Sequence, residues 1–191
     1  MPLRYVLIIL FLMLAPVVYF VTLTAQTNVI EEMIAASKRD DATTIAARVN
    51  WPALRNFVKD DIRQSKKGGL YFANLGPSEA NIGPVVDHYL REENVALLFY
   101  FRDKMFPGTP EDAFIESTGY AAPFGFYVTL AYPKIAPGNP SAEMRSLRDR
   151  LKVRFVFRLD GTTWRIKEMH VPLFMVPSQP NPLPAIPPKK P

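Results

Sequence analysis

The order of apolar and polar positions divides the chain into stretches of different period. The first has no period at all. Tyr5 to Leu23 read YVLIILFLMLAPVVYFVTL, and no charge occurs between Arg4 and Glu31. At 1.5 Å per residue this run spans roughly 28 Å, close to the hydrocarbon thickness of a bilayer. Three readings compete for it: a buried core helix, a cleaved signal peptide and an uncleaved signal anchor. A soluble-domain helix carries a polar stripe every 3.6 residues, and this run is apolar on every face. A signal peptide has a shorter apolar region followed by small residues at the cleavage site. Here a cut after Ala25 would put bulky Leu23 where a small residue is wanted. The anchor is favoured, and Pro16 inside it is better tolerated in lipid-spanning helices than in soluble ones. The short basic lead at Arg4 predicts the amino terminus inside and the remaining chain outside the cytoplasmic membrane, on the periplasmic or extracellular side.

A helical period follows. In residues 28 to 39, Val29, Ile30, Met33 and Ile34 share one face, with acids in the first turn and Lys38 and Arg39 in the last, as the helix dipole prefers. Asp40 and Asp41 break this helix, and either can cap a short one carrying Ile45 and Ala46. Asn50-Trp51-Pro52 starts another, because proline is favoured in a first turn where its missing N–H has no partner to lose. Its stripe is Leu54, Phe57, Val58 and Ile62, with Arg55, Lys59, Arg63 and Lys66 opposite and a stop at Lys66-Lys67-Gly68-Gly69. Residues 70 to 84 are expected to be loop with at most a turn of helix. Pro84 to Phe101 reads as one helix, with strand as the alternative over Leu97 to Phe101, ended by Pro107 and Pro110.

The second half changes to period two. FGFYVTLAY, Phe124 to Tyr132, is aromatic, β-branched and bounded by prolines, and a weaker strand precedes it around Ala113 to Tyr120. After a turn-rich connector at 137 to 141, Leu151, Val153, Phe155, Phe157 and Leu159 alternate with Lys152, Arg154, Val156 and Arg158. Asp160-Gly161 makes the turn to a partner strand over Thr163 to Val171, whose alternation slips near Met169 as at a bulge. From 173 to 191 prolines recur too often for a packed element, and the tail is expected to be an extended spacer, with a docking peptide as the alternative. The chain therefore divides into 1–27 (stub and anchor), 28–172 (one α+β domain) and 173–191 (proline-rich tail).

Charge changes this picture little. The whole chain is +5, but residues 28–172 hold 20 basic and 18 acidic side chains. Residues 79–116 have three basic and eight acidic groups, and 134–167 have nine basic and three acidic, which reads as two solvated faces or a dipole that steers a partner. No nucleic-acid motif is present, so a nucleic-acid partner is disfavoured. The absence of cysteine excludes disulfides, thiolate metal sites and a lipoprotein anchor.

The apolar lead, the Lys38-Arg39-Asp40-Asp41 break and Arg48-Val49-Asn50-Trp51-Pro52-Ala53-Leu54-Arg55 ahead of Phe57-Val58-Lys59 resemble the bacterial family called domain of unknown function 2939, over about residues 28 to 66. Asn50 and Trp51 stand where that family has an acidic residue and another aromatic. The hairpin from Val153 to Ile166 separately resembles the last two strands of nuclear-transport-factor-2-like and cystatin-like domains, which implies helices packed on a curved antiparallel sheet that closes a cone. Neither resemblance supplies catalytic residues, and such folds host enzymes, carriers and interaction modules alike.

Only His88 and His170 titrate near neutrality by intrinsic pKa. His88 and Glu92, four apart on one expected helical face, have a spacing that can hold a metal, though two ligands do not make a site. His170, near the end of the last strand, is the weak catalytic candidate, a general base facing a cavity with Asp or Tyr. The Phe and Tyr residues at 99 to 101 and 124 to 132 line a pocket or, more simply, fill a core. No phosphate loop, GxSxG elbow or HExxH sequence occurs, and no cofactor is implied. The expectation is a noncatalytic binding or assembly module, held in the bilayer through 5–23 near an envelope protein. The alternatives are an enzyme around His170 and a carrier of a small apolar ligand. Oligomeric state has no sequence signal.

Overall fold

The apolar lead and the first amphipathic stretch form one helix, α1, Leu3–Lys38, with Pro16 inside it and no break at 27. A computed structural model describes residues 3–67, 75–131 and 151–185, the side chains of 3–15, 17 and 111 excepted. Among the described residues no helix is long and apolar enough to cross a membrane. Much of the run from Tyr5 lies outside the described side chains, and the anchor expectation lies there with it. From Thr22 onward α1 is part of the packed unit: Thr22, Gln26, Val29 and Ala36 are buried along one side. The expected boundary at 27/28 therefore falls within a helix that is already seated on the domain.

Asp40, at φ 51°, turns the chain out of α1. Asp41 then caps α2, Ala42–Ala47, accepting from the Thr44 backbone N–H and hydroxyl at 3.0 and 2.6 Å. Those two bonds hold the Asp41 carboxyl below the ordinary aspartate range. Asn50 accepts from Ala53 N at 3.1 Å and opens α3, Trp51–Lys67, whose Leu54, Val58 and Ile62 are buried as their spacing predicts. On its other side Lys59 and Arg63 meet Asp87 and Glu79 of α4, Glu79–Tyr89.

The expected helix 84–101 is two helices, and the first starts earlier. Glu79 to Gly83 are helical, and Pro84 lies inside α4, because Ile82, Val85 and Val86 gain full burial there. Burial of such side chains contributes about 1.5–3 kcal/mol each, enough to offset an unfavourable helix residue. α4 ends because Asn94 donates from its side chain to the carbonyls of His88 and Tyr89, at 2.9 and 3.1 Å, satisfying groups that the next turn would have used. A 3-10 turn at Glu92–Asn94 leads into α5, Val95–Met105. The strand alternative at 97–101 is thereby excluded. Arg102 ties α5 to the end of α1, donating to Ser37 O, Ser37 Oγ and Asp40 Oδ1 at 2.8, 2.9 and 2.8 Å.

Four antiparallel strands form one sheet in sequence order: β1 Ile115–Tyr120, β2 Gly125–Leu130, β3 Val153–Asp160 and β4 Thr163–His170. Residues 132–150, which carry the expected connector and much of the basic stretch, lie outside the described residues. Phe126 and Phe157 stack at 4.6 Å in the centre, with Trp164 tilted against Phe126 at 5.5 Å. Val29, Leu54, Val58, Ile62, Ile82 and Val86 cover this face of the sheet. The free edge of β4 is met by the segment before α3: Ile166 N donates to Arg48 O at 2.8 Å, and Asn50 N donates to Ile166 O at 3.0 Å.

Two extra residues break the ladder. Glu116 is the additional residue in β1, between the pairs Ile115–Leu130 and Ser117–Thr129. Lys167 is the additional residue in β4, between Phe157–Ile166 and Val156–Glu168. The strict alternation expected of β3 also fails, since at its middle Val156 is buried beside Phe157 while Leu159, at the hairpin end, is half-exposed.

The tail is not a free spacer at its start. Leu173, in a 3-10 turn at Leu173–Met175, is buried in the core. Beyond it Asn81 donates to Ser178 O at 3.2 Å, and Asn181 N donates to the Tyr89 hydroxyl at 3.0 Å. The packed unit therefore continues past 172.

Candidate functional site

The bulge at Lys167 decides where His170 goes. Without the extra residue, strict alternation would set His170 beside Val153 on the core face. With it, Met169 pairs with Phe155 and His170 with Arg154. Bulges re-aim side chains in this way. The His170 ring stands edge-on to Phe57 at 4.9 Å, and its Nδ1 is 3.2 Å from Asp61 Oδ1; α3 presents both partners one turn apart.

This pair borders an open cleft of about 630 Å³, lined also by Ser65, Glu116, Thr129, Lys152 and Arg154. The bulge at Glu116 turns a second carboxylate toward it, 2.8 Å from Lys152 Nζ. Arg154 lies over the Tyr127 ring at 4.7 Å and donates from Nε to Thr129 Oγ1 at 3.4 Å. Two acids face two bases and an imidazole, and each is already engaged. The His170 side chain is 45% exposed, so water reaches the pair. In such a medium the charge interactions that drive acid–base catalysis are weak compared with those of a closed site.

His88 does not pair with Glu92. α4 ends at Tyr89 and the backbone is extended at Arg91, so the expected common helical face does not exist. His88 Nε2 instead contacts Asn181 O at 2.8 Å and fastens the tail. Among the described residues no group of three or more His, Asp or Glu converges as a metal site.

Sequence reasoning missed Asp61, Glu116, Lys152 and Arg154 as neighbours of His170. The slip near Met169 was the signal for the re-aimed histidine, while the Asp61 contact joins positions far apart in the chain and leaves no local trace.

A second surface is apolar. On α5, Val95, Leu97 and Phe99 are buried, yet Leu98, Phe101 and Met105 are 62%, 41% and 56% exposed. Spacings of three and four place these three in one row on the helix.

No protein-family model, curated protein or solved structure matches the chain.

Proposed function

We propose that this chain is a noncatalytic binding module, anchored by residues 5–23 in the cytoplasmic membrane with its α+β domain outside, and that it receives a helix of an envelope protein along Leu98, Phe101 and Met105. The observation that carries this reading is that row of exposed side chains on α5, whose buried Val95 and Phe99 pack in a small cluster with Ala46 apart from the stacked aromatic core. A row at helical spacing is the ridge that one helix offers to the groove of another. Apolar side chains left in water on a helix that has other apolar residues to bury are the signature of a surface meant for a partner. The resemblance to a family with an N-terminal hydrophobic segment supports the anchor, and the helix-covered antiparallel sheet is compatible with a cone-like fold.

The test is site-directed photocrosslinking in native membranes from position 98, comparing the otherwise wild-type chain with Phe101→Ser and Met105→Ser introduced together. One defined protein adduct that disappears in the double variant, at unchanged membrane retention and melting temperature, is the expected result. An adduct indifferent to the two changes rejects the surface.

The pairing of His170 with Asp61 favours a second reading, an enzyme working in the open cleft. His170→Gln separates the two readings: the binding module keeps its adduct and its cellular function, whereas an enzyme loses function without losing its fold.

A further inference from the structure

The β1–β2 hairpin runs along α1 toward the apolar end of that helix. Its root is near the far end, where Phe114 meets Phe106 at 5.3 Å and Arg102, one turn before Phe106, bonds Ser37. Its tip is near the other, where Tyr120 meets Tyr19 at 6.4 Å. The hairpin covers most of this distance: Tyr19 to Ser37 is about 27 Å of helix, and six strand residues cover about 20 Å.

The tip is a fixed structure. Ala121 N donates to Gly125 O at 2.9 Å, the Tyr120 hydroxyl donates to Pro123 O, and Arg158 Nη1 donates to the carbonyls of Ala121 and Ala122 at 3.0 and 2.6 Å. Gly125 is required for this approach, because a Cβ there would lie 2.5 Å from Phe157 O. What this turn holds in place is Phe124, 58% exposed, in the turn that follows Tyr120, itself 42% exposed. On α1, Tyr19 meets Tyr120, and Tyr19, Phe20 and Val21, on successive sides of the helix, are 48%, 67% and 58% exposed. The two exposed apolar surfaces adjoin, and the one on α1 belongs to the uninterrupted apolar run from Tyr5 to Leu23.

We infer that the tip of the β1–β2 hairpin is a second point of membrane contact, seating Phe124 and Tyr120 in the head-group and acyl boundary at the carboxyl-terminal end of the apolar run, beside Tyr19. Aromatic side chains concentrate at that level because their rings are apolar and their polar edges hydrogen-bond. Arg158, bound to the tip carbonyls, also pairs through Nε with Glu168 Oε1 at 2.9 Å, so it holds the turn in place as a neutralised pair. The inference rests on the anchored reading of α1, and it adds that the domain lies against the bilayer at one defined edge.

The chain has no cysteine, so single introduced cysteines can be labelled without background. The full chain is placed in phosphatidylethanolamine–phosphatidylglycerol vesicles and labelled with an environment-sensitive fluorophore at Leu12→Cys, Phe124→Cys, Ala122→Cys or Asp60→Cys. Nitroxide lipids with the quencher at the head group or deep in the acyl chain report depth. The expected result is deep quenching at 12, head-group quenching with a blue-shifted emission at 122 and 124, and neither at 60, in variants whose melting curves match wild type. Quenching at 12 with 122 and 124 no different from 60 overturns the inference and leaves the anchor standing. Absence of quenching at all four positions overturns the anchor, and the inference with it. Quenching at 122 and 124 without quenching at 12 supports the hairpin contact and rejects the span.

Discussion

α3 and α5 both carry apolar side chains in helical rows, and they use them in opposite ways. α3 buries Leu54, Val58 and Ile62 against the sheet, and its other side is occupied by ion pairs to α4. Its chemistry is completed within the chain. α5 is apolar on more than one side: Val95 and Phe99 form a small cluster with Ala46, while Leu98, Phe101 and Met105 remain outside. Charge opposite an apolar row marks a helix whose surroundings are all supplied internally. Apolar residues around most of a short helix mark one whose surroundings are supplied only in part.

The largest test of this contrast is in the core under α3. Phe126→Ala, at a fully buried position stacked on Phe157, is expected to cost about 3–5 kcal/mol in denaturant unfolding. A cost below about 1 kcal/mol would mean that the α3 side is no better packed than α5. Next comes the fastening of α5. Arg102→Ala removes charge-assisted bonds to Ser37 and Asp40 and is expected to cost about 1.5–3 kcal/mol, with faster hydrogen exchange in α5 than in α3. Equal exchange changes in both helices would show that α5 is not a separately held layer.

A smaller effect concerns the entry to α3. Lys167, then Asn50 and Arg165, hold the Asp160 carboxyl below its ordinary range, and Asn50 is the residue that caps α3. A carboxyl whose pKa is lowered by folding contributes stability above its unfolded value and loses it as pH falls through its folded value. Wild type is therefore expected to melt higher than Asp160→Asn at pH 7, and the two curves are expected to converge in acid below the aspartate range. A gap independent of pH would remove the charge from the explanation. The smallest effect belongs to the exposed row: Leu98→Ser is expected to change stability by no more than about 0.5 kcal/mol. A loss above 1 kcal/mol would place Leu98 in the fold and weaken it as a docking residue.

Much of the α3 side could be read in the chain beforehand. The 3.6-residue row, the Asn50 start, the hairpin at Asp160-Gly161 and the slip near Met169 are local patterns with local causes. α4 and α5 resisted such reading because their limits are set by distant or tertiary events. Burial of Ile82 and Val86 overrides Pro84, and the side chain of Asn94 stops α4 where no glycine or proline does. The seating of Leu173 and Asn181 was likewise hidden, since proline-rich sequence excludes regular elements without excluding contacts. At the cleft, His170 was legible as a titratable group on a strand end, but its carboxylate partner on α3 was not.

The continuity of α1 past residue 27 has a mechanical consequence. A domain joined to its anchor by a flexible linker samples a hemisphere, and the tilt of the anchor is lost to it. Here the shaft enters the domain unbroken, with Gln26 and Val29 buried against it. On the anchored reading, a 20° lean of the shaft, ordinary for a transmembrane helix, would carry the Ser37 end sideways by about 9 Å. Bilayer thickness would then act as a steering input, setting the height and heading at which α5 meets its neighbour.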